Sequence, residues 1–218
     1  GSRLFVDAPS ATDVTLNENA TVTIADLQVG GSIVHVIDAV LLPGYSLQTS
    51  TEVLLAGQEN LSGGSFYSVL SNEVYTSSEA ETAENGPTVD LAYWFTPNSQ
   101  SIIGGPTNQF IEQAFDATDF TNINNDTRFY VDNTVAFDSV TSEGTALEQF
   151  PADLFDDNAD TRVTELQVDD IISFELDSAS RGGARGFARV DAISGGNDEG
   201  PGGSNNRTIT LTVKVPRP

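Results

Sequence analysis

Residues 20–42 read ATVTIADLQVGGSIVHVIDAVLL, and this stretch decides the class of fold. Ala20 to Leu27 alternates apolar and polar residues with the period of a half-buried strand, Gly30 and Gly31 interrupt it, and Ser32 to Leu42 resumes an apolar, β-branched run. Two strands joined at a glycine pair form a hairpin. Its apolar members Val22, Ile24, Ile33, Val34, Val36, Ile37, Val40 and Leu41 are the candidate assembly surface, because a lone strand pair cannot shield one apolar face and a free ladder edge from water. Pro43 and Gly44 then punctuate the chain, which places a boundary between an N-terminal strand pair at 1–43 and a larger domain at 44–218.

Outward from the hairpin, strands are expected at Glu52 to Leu55, Ser65 to Leu70, Val89 to Phe95, Arg128 to Phe137, Ile171 to Leu176, Gly186 to Ile193 and Arg207 to Val215. Short helices are expected at Ser78 to Glu84, Asn108 to Phe115 and Thr145 to Phe150, the first and last opened by Ser/Thr-x-x-Glu capping boxes. Strands at this spacing with helices confined to connections give an all-β chain: a β-sandwich with short helices in its loops, preceded by an N-terminal strand pair.

Nine Lys and Arg stand against 32 Asp and Glu, a net charge of -23. With no basic stripe to neutralise phosphates, nucleic acid is excluded as a partner, and an anionic membrane surface is disfavoured on the same ground. No apolar run approaches the length of a membrane span. The absence of cysteine excludes thiolate metal sites and thiol nucleophiles, and the absence of Met, even at position 1, suggests a processed or excerpted chain.

Asn19 to Pro43 resembles the C-terminal end of a fasciclin (FAS1) domain. Asp26, His35, Ile37, Asp38, Leu41, Leu42 and Pro43 occupy the matching positions, while Gly31 and Ser32 stand where that family usually has Asn-Gly. A complete domain of this kind needs far more chain upstream than precedes Asn19, so only its last strand pair is expected here. Ala56 to Tyr75 and Thr88 to Phe95 are similar to surface lipoproteins of Bacteroidota. The resemblances imply a secreted or cell-surface, bacterial location, a role in adhesion, and no catalysis.

Candidate sites follow from residue chemistry. His35 is the single histidine, and with no nucleophile motif beside it it reads as a strand residue bonded to backbone. Asp156, Asn158 and Asp160 show the every-second-residue oxygen spacing of a calcium loop, as do Asn122, Asn124 and Asp126, although neither run has the glycine and glutamate of an EF-hand. Trp94 falls on the same strand face as Asp90, and an aromatic ring beside a carboxylate is a candidate glycan platform. Arg181, Arg185 and Arg189 suit either a carboxylate ligand or local acids. Asn19, Asn60, Asn125 and Asn206 open glycosylation sequons. The expected function is an extracellular structural or adhesive subunit that self-associates into a fibre or surface layer by strand complementation, and the alternative is a glycan-binding module of a bacterial surface protein.

Overall fold

A computed structural model describes residues 6–10, 13–16, 20–39, 46–60, 63–115, 120–150, 160–195 and 207–217. The chain divides into two compact units that meet at residues 46 and 47. The N-terminal unit is one four-stranded sheet, in the order β1 (Val6–Ser10), β2 (Asp13–Leu16), β3 (Ala20–Val29), β4 (Ser32–Ile37), all antiparallel neighbours. The expected hairpin is β3–β4, with two further strands before it. Gly30 and Gly31 take φ of 57° and 90°, the left-handed pair that a two-residue turn matched to strand twist requires. β4 ends at Ile37, so Val40 and Leu41 of the proposed assembly surface lie outside the described residues.

The C-terminal unit is a sandwich of two five-stranded antiparallel sheets. One sheet contains β10 (Arg128–Val131), β12 (Ile171–Glu175), β13 (Arg185–Ser194), β14 (Thr208–Arg217) and β5 (Ser46–Ala56), in that order. The other runs β11 (Arg162–Val163), β9 (Gln100–Gly104), β8 (Leu91–Thr96), β6 (Phe66–Ser68), β7 (Glu73–Tyr75). Alternate residues of both sheets meet between them: Leu55, Tyr67, Leu91, Tyr93, Ile103, Phe129, Phe174, Val190 and Leu211 form a single buried cluster.

The outer faces are covered too, which is why several strands read as continuous apolar runs. Over the second sheet, Phe66, Ala92, Trp94 and Ile102 are roofed by Ile111 of helix α2 (Ile111–Ala114), Phe120 and Ile123. Over the first, Phe187 and Ile171 are capped by Val135, Phe137, Val140, Ala146 and Phe150, a layer that includes helix α3 (Glu143–Gln149).

The chemistry at the ends of elements corrects several expectations. The first short helix, α1 (Ser77–Ala80), is capped by Thr76 and Glu79, two residues earlier than the expected Ser78 and Glu81, because Glu79 Oε2 accepts the Thr76 N–H at 2.9 Å. Ser142 caps α3, accepting the Thr145 N–H at 3.2 Å. β10 stops at Val131 instead of continuing to Phe137, since Asp132 accepts the backbone N–H of Thr134 at 3.0 Å and closes a turn.

Candidate functional site

The β3–β4 hairpin carries the surface expected to assemble, and its register shows which residues share a face. Directly opposed residues lie on one side of a sheet, and β4 alternates without interruption, so Val34 and Val36 face one way and Ile33, His35 and Ile37 the other. Val34 opposes Leu27 and Val36 opposes Ile24, with bulges in β3 between Val22 and Ile24 and between Ile24 and Leu27. The second bulge is built on Asp26, whose φ of 55° is left-handed. Its N–H reaches His35 Nδ1 at 3.4 Å. The extra residue brings Ile24, Leu27 and Val29 onto the side of Val34 and Val36. These five side chains are 49%, 43%, 55%, 41% and 37% exposed, respectively.

The expected assembly list is thereby divided. Ile24, Val34 and Val36 share this row, Val22, Ile33 and Ile37 lie on the opposite side, and Leu27 and Val29 join the row although period-two counting omits them. The signal for them is the Ala25-Asp26 step, where a polar residue adopts the left-handed conformation that Asp tolerates.

The Trp94 and Asp90 expectation is corrected. Trp94 is 1% exposed, its ring sealed beneath Ile111, Phe120 and Ile123, and Gly104 opposite it leaves room for the indole. It is a core residue, not a platform. Asp90, fully buried, accepts the Arg181 side chain at 2.8 and 3.0 Å through Nε and Nη2 and the Val69 N–H at 2.8 Å. Burial pushes the Asp90 carboxyl above its ordinary range, against the pull of the Arg181 guanidinium. The pair ties the loop after β12 to the start of β8.

The other two arginines also meet local acids: Arg185 bonds Glu175 at 2.5 Å, and Arg189 bonds Asp138 at 2.9 Å and Asp191 at 2.8 Å. Phe137 lies beneath both Arg189, at 4.9 Å, and Lys214, at 4.5 Å.

Where they are described, several members of the runs read as calcium loops bond to neighbouring protein groups. Asn122 donates to the Glu81 carbonyl at 2.7 Å, Asn125 donates to the Val89 carbonyl at 2.7 Å, and Asp126 accepts the Thr107 hydroxyl at 3.0 Å. Asp156 and Asn158 lie outside the described residues, and Asp160 turns its carboxylate to the Thr161 N–H at 2.6 Å. Among the described residues no group of three or more His, Cys, Asp or Glu is placed to hold a metal. Asn125 is fully buried, so its sequon is closed to a glycan in the folded chain.

A cavity of about 340 Å³ is lined by Gln100, Ser101, Glu165, Leu166, Gln167, Ile193 and Arg207. Ile193 and Arg207 lie at the ends of expected strands, but Gln100, Ser101, Glu165, Leu166 and Gln167 fall outside every expected strand and motif. Arg207 stacks on the Phe95 ring at 4.3 Å, and Tyr93 bonds Ser101 at 3.1 Å beneath it. Gln100 and Glu165 are both in the left-handed region, with φ of 54° and 58°. Non-glycine residues held there cost conformational energy, which clusters at binding sites.

This architecture defines the chain as an all-β protein with an antiparallel sandwich and a separate N-terminal sheet. No protein-family model and no curated protein matches it. A solved structure of a DUF4466 family protein from Parabacteroides merdae is similar in fold, with a TM-score of 0.55 at 8% sequence identity over 91% of this chain and 61% of that one. The chain thus spans 61% of that neighbour's length. Among the described residues no helix is long and apolar enough to cross a membrane.

Proposed function

We propose that this chain is an extracellular structural or adhesive subunit that self-associates through its N-terminal sheet. The observation that carries the reading is the row Ile24, Leu27, Val29, Val34 and Val36, aligned on one face of β3–β4 by the Asp26 bulge and open to solvent. A contiguous apolar row gains free energy when water leaves it, at about 25 cal/mol per Å². The sandwich unit fills its interior and both outer faces with its own side chains and so differs in kind from this sheet. The similarity of residues 19–43 to a FAS1 terminus supports the cell-surface setting.

The test is sedimentation of the full chain over a range of concentrations and salt. At a net charge of -23 copies repel one another, so association is expected to strengthen as salt shortens the Debye length to about 3 Å at 1 M. Val34→Asp with Val36→Asp is expected to restore monomers. A wild-type chain that is monomeric at every concentration and salt would refute the proposal.

Glycan binding is a second reading, favoured by the cavity. Gln100, Glu165, Gln167 and Arg207 bring amide, carboxylate and guanidinium groups to one concavity beside Leu166 and Ile193, and such groups hydrogen-bond sugar hydroxyls. A glycan array with the wild type and Gln167→Ala tests it: binding lost in the variant supports the cavity, and an array with no binder removes the reading.

A further inference from the structure

We propose that two copies of the chain pair edge to edge through β4, antiparallel and about a two-fold axis at His35. The inference rests on the reading that the N-terminal sheet associates, and it names the arrangement. Ile33-Val34-His35-Val36-Ile37 is a palindrome centred on His35. Laid antiparallel against itself in that register, Ile33 meets Ile37, Val34 meets Val36, and His35 meets His35 of the second copy. A two-fold interface demands this self-complementarity, since each surface must fit itself.

The backbone is turned to suit. The Asp38 N–H donates to the Thr21 carbonyl at 3.2 Å, and the Val36 carbonyl accepts the Thr23 hydroxyl at 3.2 Å, so even-numbered positions of this strand address β3. Antiparallel alternation then directs the N–H and C=O groups of Ile33, His35 and Ile37 to the open side. In the palindromic register Ile33 opposes Ile37 and His35 opposes His35, so these pairs exchange both backbone hydrogen bonds, while the Val34–Val36 pairs between them are the non-hydrogen-bonded ones. Among the described residues no strand covers that side, because β4 ends the sheet.

The two edges of this sheet differ in their protection. β1, at the other end, reads VDAPS, with Asp7, Pro9 and a register shift between Asp7 and Ser10, all features that stop a foreign strand from adding. β4 reads SIVHVI, with no proline, no lysine and no acid, in a chain with 32 acidic residues. Pairing also sets Val34 and Val36 of one copy beside Val36 and Val34 of the next on the face that carries Ile24, Leu27 and Val29. The two apolar rows become one.

Single-cysteine cross-linking of the full chain tests the register, because the chain has no cysteine of its own. Opposed residues in an antiparallel pair have Cα atoms about 4.5–5.5 Å apart, within the span of a disulfide. With oxidised glutathione as oxidant, His35→Cys is expected to form a covalent dimer. Val34→Cys mixed with Val36→Cys is expected to give the heterodimer in clear excess over either homodimer, and this second pair leaves the His35 bond to Asp26 intact. Leu27→Cys on β3 is the control and is expected to stay uncross-linked. Sedimentation showing association, together with cross-links at Leu27→Cys and none at residues 34, 35 and 36, overturns the edge pairing and leaves self-association standing. Monomers throughout overturn both.

Discussion

Arg181→Met should be among the most damaging single substitutions in the sandwich unit. The substitution keeps most of the aliphatic length of the side chain but removes the guanidinium that bonds Asp90 at 2.8 and 3.0 Å and reaches Ser68 Oγ at 3.4 Å. Asp90 is fully buried, and without Arg181 its carboxylate keeps the backbone N–H groups of Val69 and Leu70 but no opposite charge. Breaking a buried ion pair by removing one member costs about 3–5 kcal/mol. A domain is stable by roughly 5–15 kcal/mol, so the loss is a large part of the total. The variant should also acquire a distinctive pH dependence. Burial already raises the Asp90 carboxyl, and without Arg181 it rises further, so the folded state binds a proton that the unfolded state has released. The penalty is then full above the raised value and shrinks as pH falls through it, by up to about 1.4 kcal/mol per pH unit. Urea unfolding followed by the fluorescence of Trp94, the only tryptophan and buried in the same unit, measures this directly. Asp90→Asn combined with Arg181→Met should recover much of the loss. A single variant within about 0.5 kcal/mol of wild type at pH 7, the range of ordinary surface changes, would refute the reasoning.

Gly104→Ala places a Cβ 2.4 Å from the Trp94 ring, a contact that the roof of Ile111, Phe120 and Ile123 leaves little room to relieve; a loss of about 1–3 kcal/mol is expected in the same urea titration, and an unchanged midpoint would show the indole to be mobile. Asp177 is held below the ordinary carboxylate range, chiefly by the Asp126 N–H at 3.0 Å, so its contribution is present above the unfolded carboxyl's range and lost as pH falls through the lowered value; Asp177→Asn should flatten that acid limb, and superimposable acid profiles of wild type and variant would contradict it. Thermal midpoints in calcium and in EDTA should coincide, given that Asp126 and Asp160 are engaged by Thr107 and Thr161; a higher midpoint in calcium would place a metal on the chain.

The sandwich was largely readable because its strands are β-branched or aromatic runs bounded by turn residues. β12, β13 and β14 fall within two residues of their expected limits. β7 and β9 escaped. Glu73–Tyr75 is three residues long, and Gln100–Gly104 starts on a left-handed glutamine and ends on glycine, so neither presents a full alternation. The Trp94 misreading has a different origin. Period two correctly separates Leu91 and Tyr93 from Ala92 and Trp94, but alternation identifies faces and does not say which face water sees. Both are buried here because Phe110, Ile111, Phe115, Phe120 and Ile123 form an additional layer, and no local pattern in β8 reports it. The Asp90–Arg181 pair joins residues 91 positions apart, a separation at which a single sequence gives no pairing signal.

The N-terminal hairpin shows the opposite case, where the elements are plain but their faces are not. Continued alternation from Ile24 would put Asp26 and Gln28 beside it and Leu27 and Val29 behind, leaving both faces mixed and neither suited to association. One extra residue, accommodated at Asp26 with φ of 55° and anchored to His35 Nδ1, reverses the phase of everything after it. The apolar row therefore depends on a backbone irregularity. Aspartate tolerates the left-handed region that β-branched residues avoid, and His35 supplies an acceptor for the N–H the bulge would otherwise leave unpaired. Asp26 and His35, the single histidine of the chain, are in this sheet the pair that aligns its apolar side chains.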